Sequence, residues 1–211
     1  MTFDEAIRQI NRKAGHRRDT AAAEDALNLA IESLEADTFL PWFTLSEKVR
    51  GNTTEGENRV PLPRRWLKGY TDGELFYRED VSGKTTKLIK DDYEDLVIAF
   101  EGKGEPNLPT HYALVGNYYR LFPEPDDTYT LFMLYHQKSM RAWDNPDNVN
   151  VWLENAARLT VAKAAIILME DTRDVKGMAI QEKVFAEERT KLMVRNTELE
   201  EINSDREMSL N

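Results

Sequence analysis

Asp91, Asp92, Glu94 and Asp95 crowd four carboxylates into the segment "DDYED". Carboxylates at that density can hold a hard cation or supply the two acids of a glycosidase, whose side chains must face each other across a substrate. Acids at the head of a short helix also have a plainer use, because they offset the positive end of its dipole. "DYEDLVIAF" reads as such a helix with Asp91 as its cap, so capping is the expected role. Glu94 and Asp95 form the acidic pair on which a cell-wall-degrading, glycosidase-like enzyme would have to depend.

Other starting points for catalysis fail on spacing. "SGKTT" contains the Gly-Lys-Thr step of a phosphate loop, yet the position five before Gly83 is Arg78 and no long helix follows Thr85. A hairpin turn is expected there instead. His16, His111 and His136 are the only histidines, and no two share a metal-ligand spacing. Cysteine is absent, as is a Gly-x-Ser-x-Gly elbow, so neither a thiolate metal site nor a recognisable nucleophile is available. No catalytic, cofactor-binding or metal-binding residue is assigned, and no cofactor is expected.

Two basic clusters could touch DNA phosphates: "RKAGHRR" from Arg12 to Arg18, and "RRWLKGY", where Arg64, Arg65 and Lys68 accompany Trp66 and Tyr70. The whole chain carries 38 acids against 28 bases, a net charge of -10. Broad binding to nucleic acid needs the opposite balance. A solvated face, or salt bridges to the acids of a neighbouring subunit, is the better reading of these clusters.

The elements that would position such groups follow from periodicity. With 211 residues, 41% of them hydrophobic, the chain can bury one sizeable core or two small ones. Phe3, Ile7, Ile10 and Ala14 line one face of a first helix opened by a Thr2/Glu5 capping box and closed at Gly15. Asp19 or Thr20 caps a second helix, whose Ala23, Leu27, Ala30 and Leu34 face inward while Glu24, Asp25, Glu32 and Glu35 face water. Pro41 ends the pair.

From Phe43 to Lys138 the punctuation changes to Gly, Pro and Asn between short aromatic and β-branched runs. "GNTTEGEN" reads as a polar loop, and "RVPLPRRWLKGY" and "ELFYRED" read as strands joined through Thr71, Asp72 and Gly73. "HYALV" and "YYRLF" flank Gly116 and Asn117, a two-residue hairpin loop with positive φ angles. Pro123 and Pro125 should set the angle between "YYRLF" and "YTLFMLY". That last strand is apolar on both faces and belongs inside a sheet or between layers.

Helix returns after Pro146. "NVNVWLENAARLTVAKAAIILMED" is apolar on nearly every side and should form the centre of a helical body. In the charged segment that follows, Met178, Phe185, Leu192 and Leu199 recur every seven residues. Such a stripe can dock on one side only, and Met178, Phe185 and Leu192 are the candidates for packing between subunits. Beyond Asn203 the stripe ends and the chain should fray when alone. The expected fold class is α+β. A helical bundle body over residues 1–42 and 146–203 would carry an antiparallel β-rich insert over 43–145, a long C-terminal helix and a tail over 204–211. No apolar run is long enough to span a bilayer, and the acidic N-terminus lacks the features of a signal peptide, which predicts a non-secreted chain without a membrane partner.

The ordered combination of these features resembles the head-to-tail adaptor (connector) family of tailed bacteriophages. The similarity is strongest in the Tyr-Ala-hydrophobic-Gly segment at Tyr112 to Gly116, the Arg-Leu-aromatic-Pro-x-Pro corner at Arg120 to Pro125 and the Tyr-Thr-Leu strand at Tyr129 to Leu131. The resemblance implies a structural protein without enzymatic activity. It would form a homo-oligomeric ring, typically a dodecamer, beneath the portal protein and above a downstream tail component. Genomic DNA would pass through its channel without sequence-specific binding during packaging and ejection. The place implied is the head-tail junction of the virion, reached from the host cytoplasm during assembly. Leu199, Ile202, Arg206, Met208 and Leu210 are the candidate portal-docking residues. Two other classes stay open: the glycosidase-like virion enzyme, and a non-virion cytoplasmic adaptor that would be a stable monomer or dimer.

Overall fold

Thr2 opens the first helix, α1 (Phe3–Lys13), by accepting the Glu5 N–H at 3.3 Å, while the Glu5 carboxylate accepts the Thr2 N–H at 3.1 Å. Both ends of the capping box are therefore closed. The computed structural model to which this geometry belongs describes residues 1–15, 19–69, 75–78, 85–101, 105–140 and 150–208. The chain divides into two compact units, Met1–Thr44 with Ser139–Asn211, and Leu45–Lys138.

In the first unit, α2 (Thr20–Glu35) is capped by the Asp19 carboxylate, which accepts the Ala22 N–H at 3.0 Å. Ala23, Leu27, Ala30 and Leu34 are buried as their spacing requires. Glu35 departs from the expectation. It is buried instead of facing water, because its carboxylate accepts the Ser139 N–H at 2.6 Å where the chain re-enters the unit. A buried acid is tolerable with such a donor at hand.

The expected central helix is two helices, α4 (Val151–Asn155) and α5 (Ala157–Thr172), and Pro146 lies outside the described residues. Asn150 starts α4 by accepting the Trp152 N–H at 2.9 Å, and Ala156, at φ -137°, breaks the ladder before α5 resumes. α5 is covered on nearly every side, with Thr160, Val161, Ala162, Ala164, Ala165, Ile166, Leu168 and Met169 all buried. Its core also takes Phe3, Ile7 and Ile10 of α1 and the inward face of α2. Trp152 is wedged edge-on against Phe43, with ring centres 5.1 Å apart. α6 (Val175–Met208) follows a left-handed turn at Arg173, and its backbone stays helical past Asn203, where fraying was expected.

The second unit is layered. Its strands are β1 (Leu45–Asn52), β2 (Arg59–Pro61), β3 (Trp66–Gly69), β4 (Leu75–Arg78), β5 (Thr85–Lys87), β6 (Ile89–Lys90), β7 (His111–Val115), β8 (Tyr118–Phe122) and β9 (Thr130–Gln137), with α3 (Tyr93–Phe100) between β6 and β7. One sheet runs β1-β9-β4-β5, with β3 also on β9, and the other runs β2-β8-β7-β6. β9 is the central strand of the first sheet, with β1 along one edge and β4 and β3 sharing the other end to end.

Several local expectations change in detail. "RVPLPRRWLKGY" is two strands in two sheets, since Pro61 and Pro63 cannot donate to a continuous ladder. β1, whose sequence is largely polar, had no alternation to reveal it, yet its backbone pairs with β9 from Thr130 to His136, with one register shift between Val49 and Gly51. The pairing of β6 with β7 is parallel, so the unit is not wholly antiparallel. The hairpin between β7 and β8 forms as expected, but only Gly116 has a positive φ, at 58°. Thr71, Asp72 and Gly73 lie outside the described residues.

Leu75, Tyr77, Leu131, Met133 and Tyr135 from one sheet meet Val60, Tyr112, Tyr119 and Leu121 from the other. α3 covers the far side of the second sheet by placing Leu96 on Ala113 and Phe122. The Pro-Glu-Pro corner carries the chain from β8 in one sheet to β9 in the other, and the Pro125 carbonyl accepts the Gly56 N–H at 2.8 Å. Beside the corner the Tyr129 hydroxyl donates to Asp126 at 2.6 Å, and burial followed by that hydrogen bond drives its pKa well upward. Among the described residues, no helix is long and apolar enough to cross a membrane.

Two outcomes are expected. Trp152→Ala should destabilise the helical unit by roughly 3–5 kcal/mol, whereas Trp152→Phe should cost less than half of that, because the indole N–H is buried without an acceptor; urea unfolding followed by circular dichroism reads both. The second concerns His136 on β9, which is buried opposite Lys68, its register partner on β3. Burial, and then the Lys68 charge, lower its pKa from 6.5 to about 4. The unfolded chain therefore binds the proton first, so this contribution to stability is complete above about pH 6.5 and disappears as pH falls towards 4. A loss on the order of 2 kcal/mol should appear in urea titrations across that window and be much smaller in His136→Gln.

Candidate interaction surfaces

The seven-residue stripe on α6 meets the chain's own helical core. Leu192 is buried there, and Met178 and Phe185 are half-buried against the same cluster. Lys163 of α5 places its ammonium 5.6 Å from the centre of the Phe185 ring, a contact between a cation and an aromatic face. Leu199 is half-buried one heptad further on.

Polar anchors fill the gaps in the stripe. Gln181 is buried and accepts a hydrogen bond from Lys13 Nζ at 3.0 Å, and Lys13 has its pKa lowered by burial and by Arg158 and Arg12 nearby. Asn196 is buried and accepts the Trp42 N–H at 2.9 Å, while the Arg195 guanidinium lies 4.7 Å from the centre of the Trp42 ring. Arg189 forks onto both oxygens of Asp37, at 3.1 and 2.8 Å. A search for apolar periodicity passes over Gln181 and Asn196, although they stand three residues after Met178 and four after Leu192, on the same face.

Asn196 is the last residue of α6 with a described anchor on the rest of the unit. Ile202, Arg206 and Met208 continue the helix beyond it, and Leu210 lies outside the described residues. On the side of α6 opposite the stripe, Ile180 and Val194 are exposed among charged residues.

In the second unit α3 begins one residue later than expected, with Asp92 in the cap position. Asp91 stays with the sheet, its N–H donating to the Tyr112 carbonyl at 3.1 Å and its carboxylate accepting the Asp92 N–H at 2.9 Å. Glu94 and Asp95 are exposed neighbours in the first turn, where adjacent side chains diverge around the helix. They do not form the facing pair that a glycosidase requires.

A cleft of about 220 Å³ opens at the other end of α3, between that helix and the Pro-Glu-Pro corner. Its apolar lining is Val97, Phe100, Phe122 and Pro123, and Glu101, Glu105 and Glu124 supply carboxylates. Arg120 enters from β8. Its Nη1 donates to the Tyr93 hydroxyl at 2.7 Å, and its guanidinium sits 5.3 Å from the Tyr93 ring centre and 5.7 Å from that of Phe122. A smaller cleft of about 150 Å³ lies at the α4–α5 break, beside Glu188, Lys191 and Arg195 of α6.

The remaining candidates are dispersed. His111 shares a 2.8 Å hydrogen bond with Thr110, His136 lies in the sheet, and His16 is outside the described residues. Among the described residues no group of three or more potential ligands converges on a metal site. Ser82, Gly83 and Lys84 are also outside the described residues, and Thr85 opens β5 on the edge of the first sheet, followed next by β6 and not by a long helix. Of the basic clusters, Arg17, Arg18 and Tyr70 are outside the described residues, Arg12, Arg64 and Lys68 are exposed, and Arg65 donates twice to the Lys138 carbonyl, at 2.8 and 2.6 Å.

Comparison with protein families matches a model described as SU10 adaptor protein to residues 1–206, across both compact units. Comparison with curated proteins gives no match.

Proposed function

This chain belongs to the SU10 adaptor protein family, and we propose that it is a structural head-to-tail adaptor of a tailed bacteriophage. Copies would form a ring, typically a dodecamer, beneath the portal protein and above the next tail component. DNA would pass through the ring during packaging and ejection without being read. The observation that carries this reading is the extent of the family match, which takes in both units and nearly all of α6.

Charge and packing support it. A chain with a net charge of -10 suits a channel wall that repels phosphate, since a basic wall would hold DNA by counterion release. Met178, Phe185 and Leu192 hold α6 on the body, which leaves its outward side, with Ile180 and Val194, for packing against a neighbouring subunit. The segment from Thr197 to Asn211 follows the last described anchor at Asn196, so the body has little need of it. Leu199, Ile202, Met208 and Leu210, with Arg206 for a polar contact, are the proposed portal-docking residues. Burying the four apolar side chains on another protein would contribute roughly 6 kcal/mol, reduced by the cost of ordering the segment.

The decisive experiment mixes the protein with purified portal from the same phage and examines the product by electron microscopy. Rings coaxial with the portal are expected. A chain that remains monomeric or dimeric beside the portal would instead fit the non-virion adaptor. Truncation after Asn196 should leave the melting temperature within about 3 °C of the full chain, a change below roughly 1 kcal/mol, while weakening assembly onto the portal at least tenfold. Full-affinity binding by the truncated chain would place the docking site elsewhere.

A further inference from the structure

The cleft beside α3 is too small for most small-molecule sites, which occupy roughly 300–1,000 Å³, and at about 220 Å³ it suits one long side chain. Its lining selects the kind. Val97, Phe100, Phe122 and Pro123 offer an apolar bed for a methylene stem, and Glu101, Glu105 and Glu124 offer carboxylates for a cationic head. Arg120 lines the same cleft, its guanidinium bonded to the Tyr93 hydroxyl and stacked on two rings; its single positive charge offsets one of the three carboxylates and leaves the lining net negative. α3 also leaves Val97 37% and Ile98 70% exposed next to the opening. A lysine or arginine beside an apolar residue is the chemistry that fits.

The same unit carries that chemistry at its opposite end. The turn from Pro63 to Trp66 bears Arg64 and leads into β3, which bears Lys68; both are exposed, beside the half-buried Trp66. Arg65 fixes the turn through its two hydrogen bonds to the Lys138 carbonyl. The cleft lies at the Phe122 end of β8, whereas the turn lies towards the other end, where Leu62 N–H donates to the Asn117 carbonyl at 2.9 Å. Along β9 the separation is the same, since Trp66 pairs with Gln137 while the corner joins the strand near Thr130. Eight residues of strand span roughly 25 Å, so one copy cannot close this contact on itself.

We infer that the cleft beside α3 receives the Arg64–Lys68 turn of a neighbouring copy of this chain, in a head-to-tail contact. Two different patches at opposite ends of one unit make a heterologous interface, which is the kind that closes into a ring. The inference rests on the ring reading above and specifies one of its contacts.

The chain has no cysteine, so Arg64→Cys/Glu101→Cys introduces thiols at these two places alone. The full chain carrying both substitutions is assembled on portal, treated with a short bismaleimide and run on a denaturing gel. A ladder extending beyond the dimer is expected, with each single variant giving no ladder and a mixture of the two giving dimers. Rings seen by microscopy without a ladder would overturn the inference and leave the ring reading standing. Absence of rings in the unsubstituted chain would overturn both. Efficient dimer formation by Arg64→Cys alone would also overturn it, because that signals like patches meeting.

Charge reversal supplies a second measurement free of thiols. Arg64→Glu and Glu101→Lys/Glu105→Lys should each weaken ring assembly at least tenfold at unchanged melting temperature. A chain carrying all three changes should recover most of it. Failure to recover would count against the pairing.

Discussion

The constraint on which the helical unit depends is that α5 has almost no face fit for water. A helix apolar on nearly all sides must be enclosed, and the unit supplies α1, α2, α4 and α6 to do it. Small residues allow the enclosure to be tight: Ala162, Ala164 and Ala165 of α5 and Ala23, Ala26 and Ala30 of α2 are all buried. The caps at Thr2, Asp19 and Asn150 start their helices, and the break at Ala156 and the left-handed turn at Arg173 stop one helix where the next must begin.

Enclosure alone would let α6 slide or rotate on the body, since its apolar stripe is narrow. Gln181, Arg189 and Asn196 fix its register by bonding to Lys13, Asp37 and the Trp42 backbone, three groups from different parts of the unit. Desolvation makes the buried two demanding, because a displaced Asn196 or Gln181 would lose a partner without regaining water. α6 is therefore a held element up to Asn196.

The second unit solves a different problem. β9 is apolar on both faces and pairs along both edges, so it has to be central, and every other strand of its sheet is placed by reference to it. The proline corner then divides the aromatic residues between two sheets that share one core. Its outer wall, together with α3, forms the acidic cleft, while the basic turn is displaced to the far end. One short unit thus presents surfaces of opposite sign at its two ends.

What the sequence by itself determined is the set of local elements whose signals are carried by neighbouring residues: the Thr2 capping box, the inward faces of α1 and α2, the all-round apolar α5, the Gly116 hairpin and the central β9. The α+β class follows from those, and so does the family resemblance, which rests on an ordered string of such segments. Tertiary structure alone decided the rest. Glu35 is buried only because Ser139 returns beside it, β1 is a strand only because β9 offers it a full-length backbone partner, and Gln181 and Asn196 became anchors through Lys13 and Trp42. The cleft was equally hidden, since its acids and rings come from α3, the segment after it, β8 and the corner, each unremarkable alone. The physical reason is common to all of these. Helix and hairpin signals act over a few residues, whereas the partner that satisfies a polar group, or the wall that completes a cleft, is set by distance in space and has no periodicity along the chain.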